Sequence, residues 1–235
     1  MEDILARAAK VAEEAEVFAV SSEETQVQFE ANRLKHLQTK QKTNFALRII
    51  KQGKIGYASS TELDDGHDLV SGAVATAQFG TPAEFQLPSP SAYPRVEVFD
   101  TEIESVSIEA MIRLGEELVT AVTDHTPGII CEAGVTKGVI SVRLINSRGG
   151  QVNYRKSFFS LGVEGSLIND TDMLFVGESE SSCHPLSESK AVIEVVLKQL
   201  ELAKSRALVP SRSLPVVFTP HGVASALILP LVAAF

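Results

Sequence analysis

Runs of alternating apolar and polar residues dominate this chain and limit it to folds built on antiparallel sheets. Four such runs follow one another at residues 129–136, 139–146, 151–165 and 173–178. Between them lie Lys137-Gly138, Arg148-Gly149-Gly150 and Asn169-Asp170. Because Gly, Asn and Asp are residues that tight turns favour, this part of the chain predicts a β meander.

The first eighty residues show the same alternation between two predicted helices. Apolar residues recur at helical spacing from Ile4 to Ala15, which predicts an amphipathic helix. Short strands are expected at residues 16–22, 25–29, 45–49 and 55–57, with turns at Asn32-Arg33 and Gln52-Gly53. A second helix is expected to begin near Asp64 or Asp65 as its N-cap. Its predicted buried face is Leu69, Val70, Ala73, Val74 and Ala77.

The remaining segments are marked by prolines and helix caps. Four prolines lie between residues 82 and 94, which predicts a loop or linker there. A short strand at 96–99 and a helix capped by Ser107 and ended by Pro127-Gly128 precede the meander. After it we expect a helix opened by Ser187, a short strand at 216–218 and a last helix capped by Thr219 with Pro220 at its first position.

Together these segments predict an α+β fold with four parts. The parts are an N-terminal subdomain of helix-flanked antiparallel sheets (1–81), a Pro-rich loop or linker (82–95), a helix with the β meander (96–209) and the start of a C-terminal domain (210–235). An apolar, helix-like run reaches the last residue, Phe235. We therefore expect a C-terminal domain that is truncated here, as a natural truncation, a shortened expression product or a proteolytic fragment.

Charge and cysteine usage exclude several classes of function. With 21 Lys and Arg against 30 Asp and Glu, the net charge of −9 disfavours nucleic-acid binding, which needs a cationic surface. The N-terminus has no basic segment followed by an apolar one, and the longest apolar stretch, 223–235, is too short to span a bilayer. The two cysteines, Cys131 and Cys183, have no CxxC spacing. We therefore expect a cytoplasmic protein with neither a nucleic-acid nor a membrane partner.

No local pattern among the metal-binding and nucleophilic residues defines an active site. The five histidines lie far apart in sequence, whereas a helical zinc site needs two of them one turn apart. They are His36, His67, His125, His184 and His221. Cys183 and His184 are neighbours, and neighbours on a strand point to opposite faces, so we expect them to be inert.

Two further clusters favour structural interpretations. The turn around Gly149 and Gly150 lacks the lysine and the following helix of a phosphate-binding loop, so a hairpin turn is expected. The acidic residues near 62–68 are typical of a helix N-terminus that interacts with its macrodipole. They are Glu62, Asp64, Asp65 and Asp68. The residues alone therefore identify no catalytic and no metal-binding residue, and the binding residues stay unknown.

Three longer stretches, taken as a set, resemble one family. They are AEVFAVSSEETQVQFEANRLKHL, FALRIIKQGKIGYASST and VRLINSRGGQVNYRKSFFSLGVEG. The second is similar to a G-x-R-x-x-x-x-G-x-x-G-x-A hairpin, with Arg48, Gly53, Gly56 and Ala58 in place and Ala46 where glycine is usual. The third is similar to an N-S-x-G turn, with Asn146, Ser147 and Gly149 in register. The chain thus resembles the TldD/PmbA family, known as modulators of DNA gyrase and as TldD/TldE peptidases.

The resemblance implies a division between two types of family member. The TldD type is a zinc peptidase with an HExxxH helix, and the PmbA or TldE type is its partner without that motif. Here the corresponding segment is TPHGVASALI. With His221 aligned to the first histidine, Gly222 stands at the glutamate position and Ala226 at the second histidine. No metal ligand is therefore carried over, and zinc is expected only in a TldD-type partner.

These features favour a PmbA/TldE-like, non-catalytic subunit of a zinc peptidase that acts on unfolded peptides or peptide precursors. The expected partners are a TldD-type subunit, a peptide substrate and further copies of the chain itself. Two alternatives stay open. One is an autonomous metallopeptidase with metal ligands beyond residue 235, and the other is a regulator that acts on DNA gyrase.

Overall fold

A computed structural model describes residues 1–62, 66–169, 172–205, 207 and 210–234, without the side chains of Asn169 and His221. The chain forms two compact units, Met1–Ala203 and Lys204–Phe235. The first contains α1 (Glu2–Ala8), β1 (Glu14–Glu30), β2 (Arg33–Lys51), β3 (Lys54–Ser60), α2 (His67–Ala77), α3 (Glu102–Ser105), α4 (Ile108–His125), β4 (Ile130–Asn146), β5 (Gln151–Asn169), β6 (Asp172–Ser182) and α5 (Lys190–Ala203). The second contains α6 (Pro220–Val223), a π-helical turn (Ala224–Ile228) and α7 (Leu229–Ala234).

One antiparallel sheet of six strands, in the order β3-β2-β1-β4-β5-β6, organises the first unit. The predicted α+β class with antiparallel sheets flanked by helices is confirmed. Strand β1 pairs with β2 on one side and with β4 on the other. Strands from the segments 1–81 and 96–209 therefore share one sheet, and the four-part division into domains stays a prediction.

The strands are longer than the alternation predicts, because β1, β2 and β4 each continue through residues where we expected an interruption, and in β2 these are residues 34–44. Strand β4 continues through Lys137 and Gly138, where we expected a turn. A Cβ atom at Gly138 would lie 2.6 Å from the Glu23 carbonyl oxygen and 2.5 Å from the Phe158 ring. This glycine therefore permits close packing inside the sheet and does not form a turn. Strand β1 likewise includes the expected gap at residues 23–24.

Two hydrophobic clusters cover opposite ends of one sheet face. Ala15 and Val17 of β1 pack with α1 and α2, whereas Val27 and Phe29 pack with α4 and α5. All four residues have odd numbers in one strand, and side chains of a strand alternate between faces, so all four lie on the same face. Between the clusters, the polar side chains of β1 lie in an open groove of about 470 Å³.

The first helix is shorter than predicted. Helix α1 ends at Ala8, and Ala15 is buried in β1. Glu13 N donates to the Ile50 carbonyl, and the Ala15 backbone exchanges hydrogen bonds with Ser147. These backbone partners outside the helix keep residues 13–15 extended despite their helical spacing.

The ends of the other helices agree only in part with the predicted caps. Ser107 Oγ accepts from Ala110 N at 3.1 Å, which confirms the predicted cap of α4. Helix α2 is capped by Gly66, and Asp64 and Asp65 lie outside the described residues. Helix α5 begins at Lys190, not at Ser187, and the segments 96–99 and 216–218 are not strands. No helix within the described residues has the length and apolar character needed to cross a membrane.

Gly115 tests the packing of α4 on the sheet. A Cβ atom there would lie 2.2 Å from Phe29 Cε2, and Phe29 is buried. We expect Gly115→Ala to lower the free energy of unfolding by about 1–3 kcal/mol, because the overpacking outweighs the gain of about 1 kcal/mol in helix propensity. Urea denaturation measures this change. The neighbouring exposed variant Glu116→Ala serves as control, and equal or greater stability of Gly115→Ala would contradict the packing described.

Candidate functional site

The hairpin motif that contains Arg48 and the turn motif that contains Asn146 meet at a buried carboxylate on β1, that of Glu16. Glu16 pairs across the sheet with Arg48 of β2 on one side and with Asn146 of β4 on the other. Arg48 Nη2 donates to Glu16 Oε1 at 2.6 Å, and Glu16 is only 7% exposed. We call these three residues the Glu16 cluster. Its buried charge is compensated by the guanidinium, as a buried carboxylate requires.

Asn146 organises the turn between β4 and β5. Its Oδ1 accepts from Arg148 N at 3.0 Å and from Gly150 N at 2.8 Å. Gly149 has φ +84°, which favours glycine. The predicted hairpin turn is therefore confirmed. Its two amides already donate to Asn146, so they are not available as a phosphate-binding cradle.

The Pro-rich segment is held against the Glu16 cluster. Asn146 Nδ2 donates to the Pro88 carbonyl at 2.9 Å, and the Phe85 ring centroid lies 5.2 Å from the Arg48 guanidinium carbon. Leu87 is buried, and its N–H donates to Glu14 Oε2 at 2.7 Å. Segment 82–95 is thus fixed to the sheet at residues 85–88. Proline spacing predicted only a surface loop or linker and gave no signal for this attachment.

Each of the four histidines with a described side chain lies near a different carboxylate. The closest N–O distances are 3.8 Å for His36–Glu30, 3.6 Å for His67–Asp68, 2.6 Å for His125–Glu201 and 2.7 Å for His184–Asp100. Within the described part of the chain, no three His, Cys, Asp or Glu residues are grouped so that they could hold a metal ion. The side chain of His221 lies outside the described residues.

Cys183 and His184 follow the end of β6 and contact different groups. Buried Ser157 donates from Oγ to the Cys183 carbonyl at 2.7 Å and accepts from Asp100 N at 2.8 Å. The His184 ring faces Asp100. Ser157 thus ties segment 98–100 to the end of β6, and the contacts of His184 give Cys183 no base. Burial raises the pKa of the other cysteine, Cys131, to about 11, so its thiol stays protonated at neutral pH.

The segment compared with the HExxxH motif begins a helix at Pro220, as the sequence predicted. Thr219 Oγ1 accepts from Gly222 N at 3.1 Å, which confirms the N-cap of α6. Gly222 lies in α6 and Ala226 in the π-helical turn. Neither side chain has an atom that can bind zinc or activate water. At the acidic cluster, Asp68 lies in the first turn of α2, and the macrodipole interpretation stays a prediction.

Replacing Asn146 tests the attachment of the Pro-rich segment. Asn146→Ala removes three hydrogen bonds and leaves buried backbone groups without partners. We expect the free energy of unfolding to fall by about 2 kcal/mol, and we expect faster proteolysis within residues 82–95. Asn153→Ala, at an exposed position of β5, is the matched control. Unchanged stability and unchanged cleavage in Asn146→Ala would contradict the attachment.

The Asp100–His184 pair predicts a pH dependence. The hydrogen bond with His184 and a second one from Glu102 N hold the pKa of Asp100 below its ordinary value. A carboxyl with a lowered pKa stabilises the fold above its unfolded-state pKa and loses this effect as pH falls through the folded-state value. Asp100→Asn should therefore lower the Tm at pH 7. The difference in Tm between the variant and the parent should become smaller as the pH falls through the folded-state pKa of Asp100. Asp124→Asn is the exposed control, and a difference that grows in acid would refute the assignment.

Comparison with known proteins finds similarity to one family model and to proteins of related fold. Residues 15–77 match the sequence model of PmbA/TldA metallopeptidase domain 1. An uncharacterised protein of Methanocaldococcus jannaschii is 26% identical over 202 residues, which cover 83% of this chain and 44% of that protein.

Two solved structures share the fold. TldE from Thermococcus kodakarensis has a TM-score of 0.76 at 14% identity, over 86% of this chain and 47% of that one. A candidate modulator of a DNA gyrase from Thermotoga maritima has a TM-score of 0.74 at 15% identity, over 88% and 49%. The chain thus spans about half the length of these relatives. Residues 15–77, which match the domain 1 model of PmbA/TldA metallopeptidases, include Glu16 and Arg48, and this part of the chain is similar to that family.

Proposed function

We propose that this chain is a PmbA/TldE-like, non-catalytic subunit of a TldD/TldE-type zinc peptidase that acts on unfolded peptides or peptide precursors in the cytoplasm. The observation that carries the proposal is the composition of the segment at residues 219–228. With His221 aligned to the first histidine of the HExxxH motif, Gly222 stands at the position of the glutamate and Ala226 at that of the second histidine. A peptidase needs both, because the histidines bind zinc and the glutamate activates the attacking water.

The donor set of the described residues does not fit zinc. Gly222 and Ala226 have no ligand atoms, and the four described histidine rings lie near four separate carboxylates. We therefore derive no catalytic step through a metal bound to this chain. The zinc, and the water that it activates, are assigned to a TldD-type partner subunit.

This chain would then contribute surfaces that hold the partner and the peptide. An extended peptide can pair with an unpaired strand at a sheet edge through its backbone, and such recognition tolerates many side chains. The sheet of the first unit ends at β3 on one side and at β6 on the other. Such outer strands offer backbone groups with which a peptide could pair, and this supports a role in binding peptide. The fold shared with TldE from Thermococcus kodakarensis supports the same assignment.

A second candidate function comes from the description of the Thermotoga maritima relative as a candidate modulator of a DNA gyrase. The net charge of −9 disfavours direct contact with DNA but leaves a contact with the gyrase protein open. Supercoiling by purified gyrase, measured with and without the chain, tests this alternative.

Reconstitution with the TldD-type protein from the same source tests the proposed function. We expect the two chains to elute together in size-exclusion chromatography, and we expect peptidase activity on an unfolded peptide only in samples that contain the TldD-type chain. A matched control replaces the glutamate of the partner's own HExxxH motif with glutamine, which should abolish activity and preserve the complex. Chelator-sensitive cleavage by this chain alone would instead support the autonomous metallopeptidase.

A further inference from the structure

Strand β2 presents a long edge without a neighbouring strand. Strand β3 pairs with β2 only from Phe45 to Lys51. Over residues 33–44, β2 therefore pairs with β1 on one side, and no strand among the described residues lies on the other. All twelve residues are exposed. We call residues 33–44 the open edge.

Polar side chains of the open edge form hydrogen bonds with side chains of β1. Thr39 pairs with Thr25 and Thr43 with Ser21, both at 3.0 Å, and Gln41 donates to Glu23 at 2.8 Å. These contacts hold residues 39–43 of the open edge in register with β1, and the register shifts near the start of the edge, between Leu34 and His36. Alternate residues of an edge strand direct their backbone N–H and C=O groups outward, where another strand can pair with them.

The open edge carries positive charge in an acidic protein. It contains Arg33, Lys35, Lys40 and Lys42, and it has no Asp or Glu, although the chain as a whole has a net charge of −9. Lys40 lies opposite Glu24 and Lys42 opposite Ser22, and within the described residues none of the four cations forms an ion pair. These charges are therefore available to a partner.

The opposite edge of the sheet differs in charge and in access. Strand β6 contains Asp172, Glu178 and Glu180, and it has no Lys or Arg. At its centre, Gly177 N donates to Gln199 Oε1 at 2.9 Å, and Gln199 Nε2 donates to the Gly177 carbonyl at 3.0 Å. The amide of an α5 side chain thus occupies the position that a neighbouring strand would take.

We infer that the open edge binds an extended, acidic segment of an unfolded polypeptide by strand addition. A second copy of the same edge is disfavoured, because four cations would face four cations, and like charges opposite one another destabilise a sheet. The β6 edge of a second copy is acidic but already occupied at Gly177 by Gln199. An acidic segment without structure of its own can pair with the free backbone N–H and C=O groups of the open edge and place its carboxylates near the four cations.

This inference deepens the proposed function, since it names the chemistry of the peptide, but it is tested without a partner subunit. The full 235-residue chain is titrated against three labelled 12-residue peptides, and fluorescence anisotropy reports binding. The first alternates Glu with Thr and Val, the second has Lys in place of Glu, and the third carries N-methyl groups on consecutive central residues of the first, which blocks both of its hydrogen-bonding edges. We expect only the first to bind, with an affinity that falls as salt rises.

Charge reversal locates the site. We expect K40E/K42E to weaken binding of the acidic peptide about tenfold or more, because two attractive charges become repulsive. The control K10E/K198E makes the same change in net charge at exposed positions outside the open edge and should bind as the parent does. Circular dichroism confirms that both variants are folded.

Three outcomes would overturn the inference. They are equal binding of the acidic and basic peptides, unchanged binding after N-methylation, and equal losses in K40E/K42E and its control. Concentration-dependent self-association that K40E/K42E abolishes, without binding of any peptide, would assign the edge to a second copy instead. Failure to associate with a TldD-type chain would count against the proposed function and leave this result unaffected.

Discussion

Pairing of β1 with strands on both sides is the interaction on which the rest of the first unit depends. The strand contributes to both hydrophobic clusters, with Ala15 and Val17 at one end and Val27 and Phe29 at the other. Because β4 joins β1 directly, the sheet continues across the Pro-rich segment of the sequence. Displacing β1 would separate β2 and β3 from the meander and expose both clusters.

The Glu16 cluster places a charged carboxylate near the start of β1, between its two neighbouring strands β2 and β4. A buried carboxylate is costly, and the attraction of Arg48 offsets that cost only while the two side chains stay in contact. Asn146, on the other side of Glu16, fixes both the hairpin turn and the Pro88 backbone. The two family-like motifs are thus parts of one structural site, which explains why residues so distant in sequence belong to one pattern. Their contacts are structural, with Arg48 bound to Glu16 and Asn146 bound to the turn and to Pro88.

Sequence periodicity predicted the elements well and their extents less well. The α+β class, the cap at Ser107 and the turn at Gly149 follow from local chemistry, which a sequence displays directly. The end of α1 and the continuation of β4 through Gly138 depend on contacts with distant residues, such as Ser147 and Phe158. The resemblance singled out Arg48 and Asn146, but no spacing rule could show that Glu16 lies between them. The attachment of the Pro-rich segment likewise arises only from tertiary contacts.

The central functional proposal is that this chain contributes binding surfaces and that the metal belongs to a TldD-type partner. The most direct measurement is the zinc content of each chain after the reconstituted complex is separated under conditions that retain bound metal. We predict that zinc follows the TldD-type chain in a ratio near one and is absent from this chain. Stoichiometric zinc in this chain, purified without any partner, would contradict it.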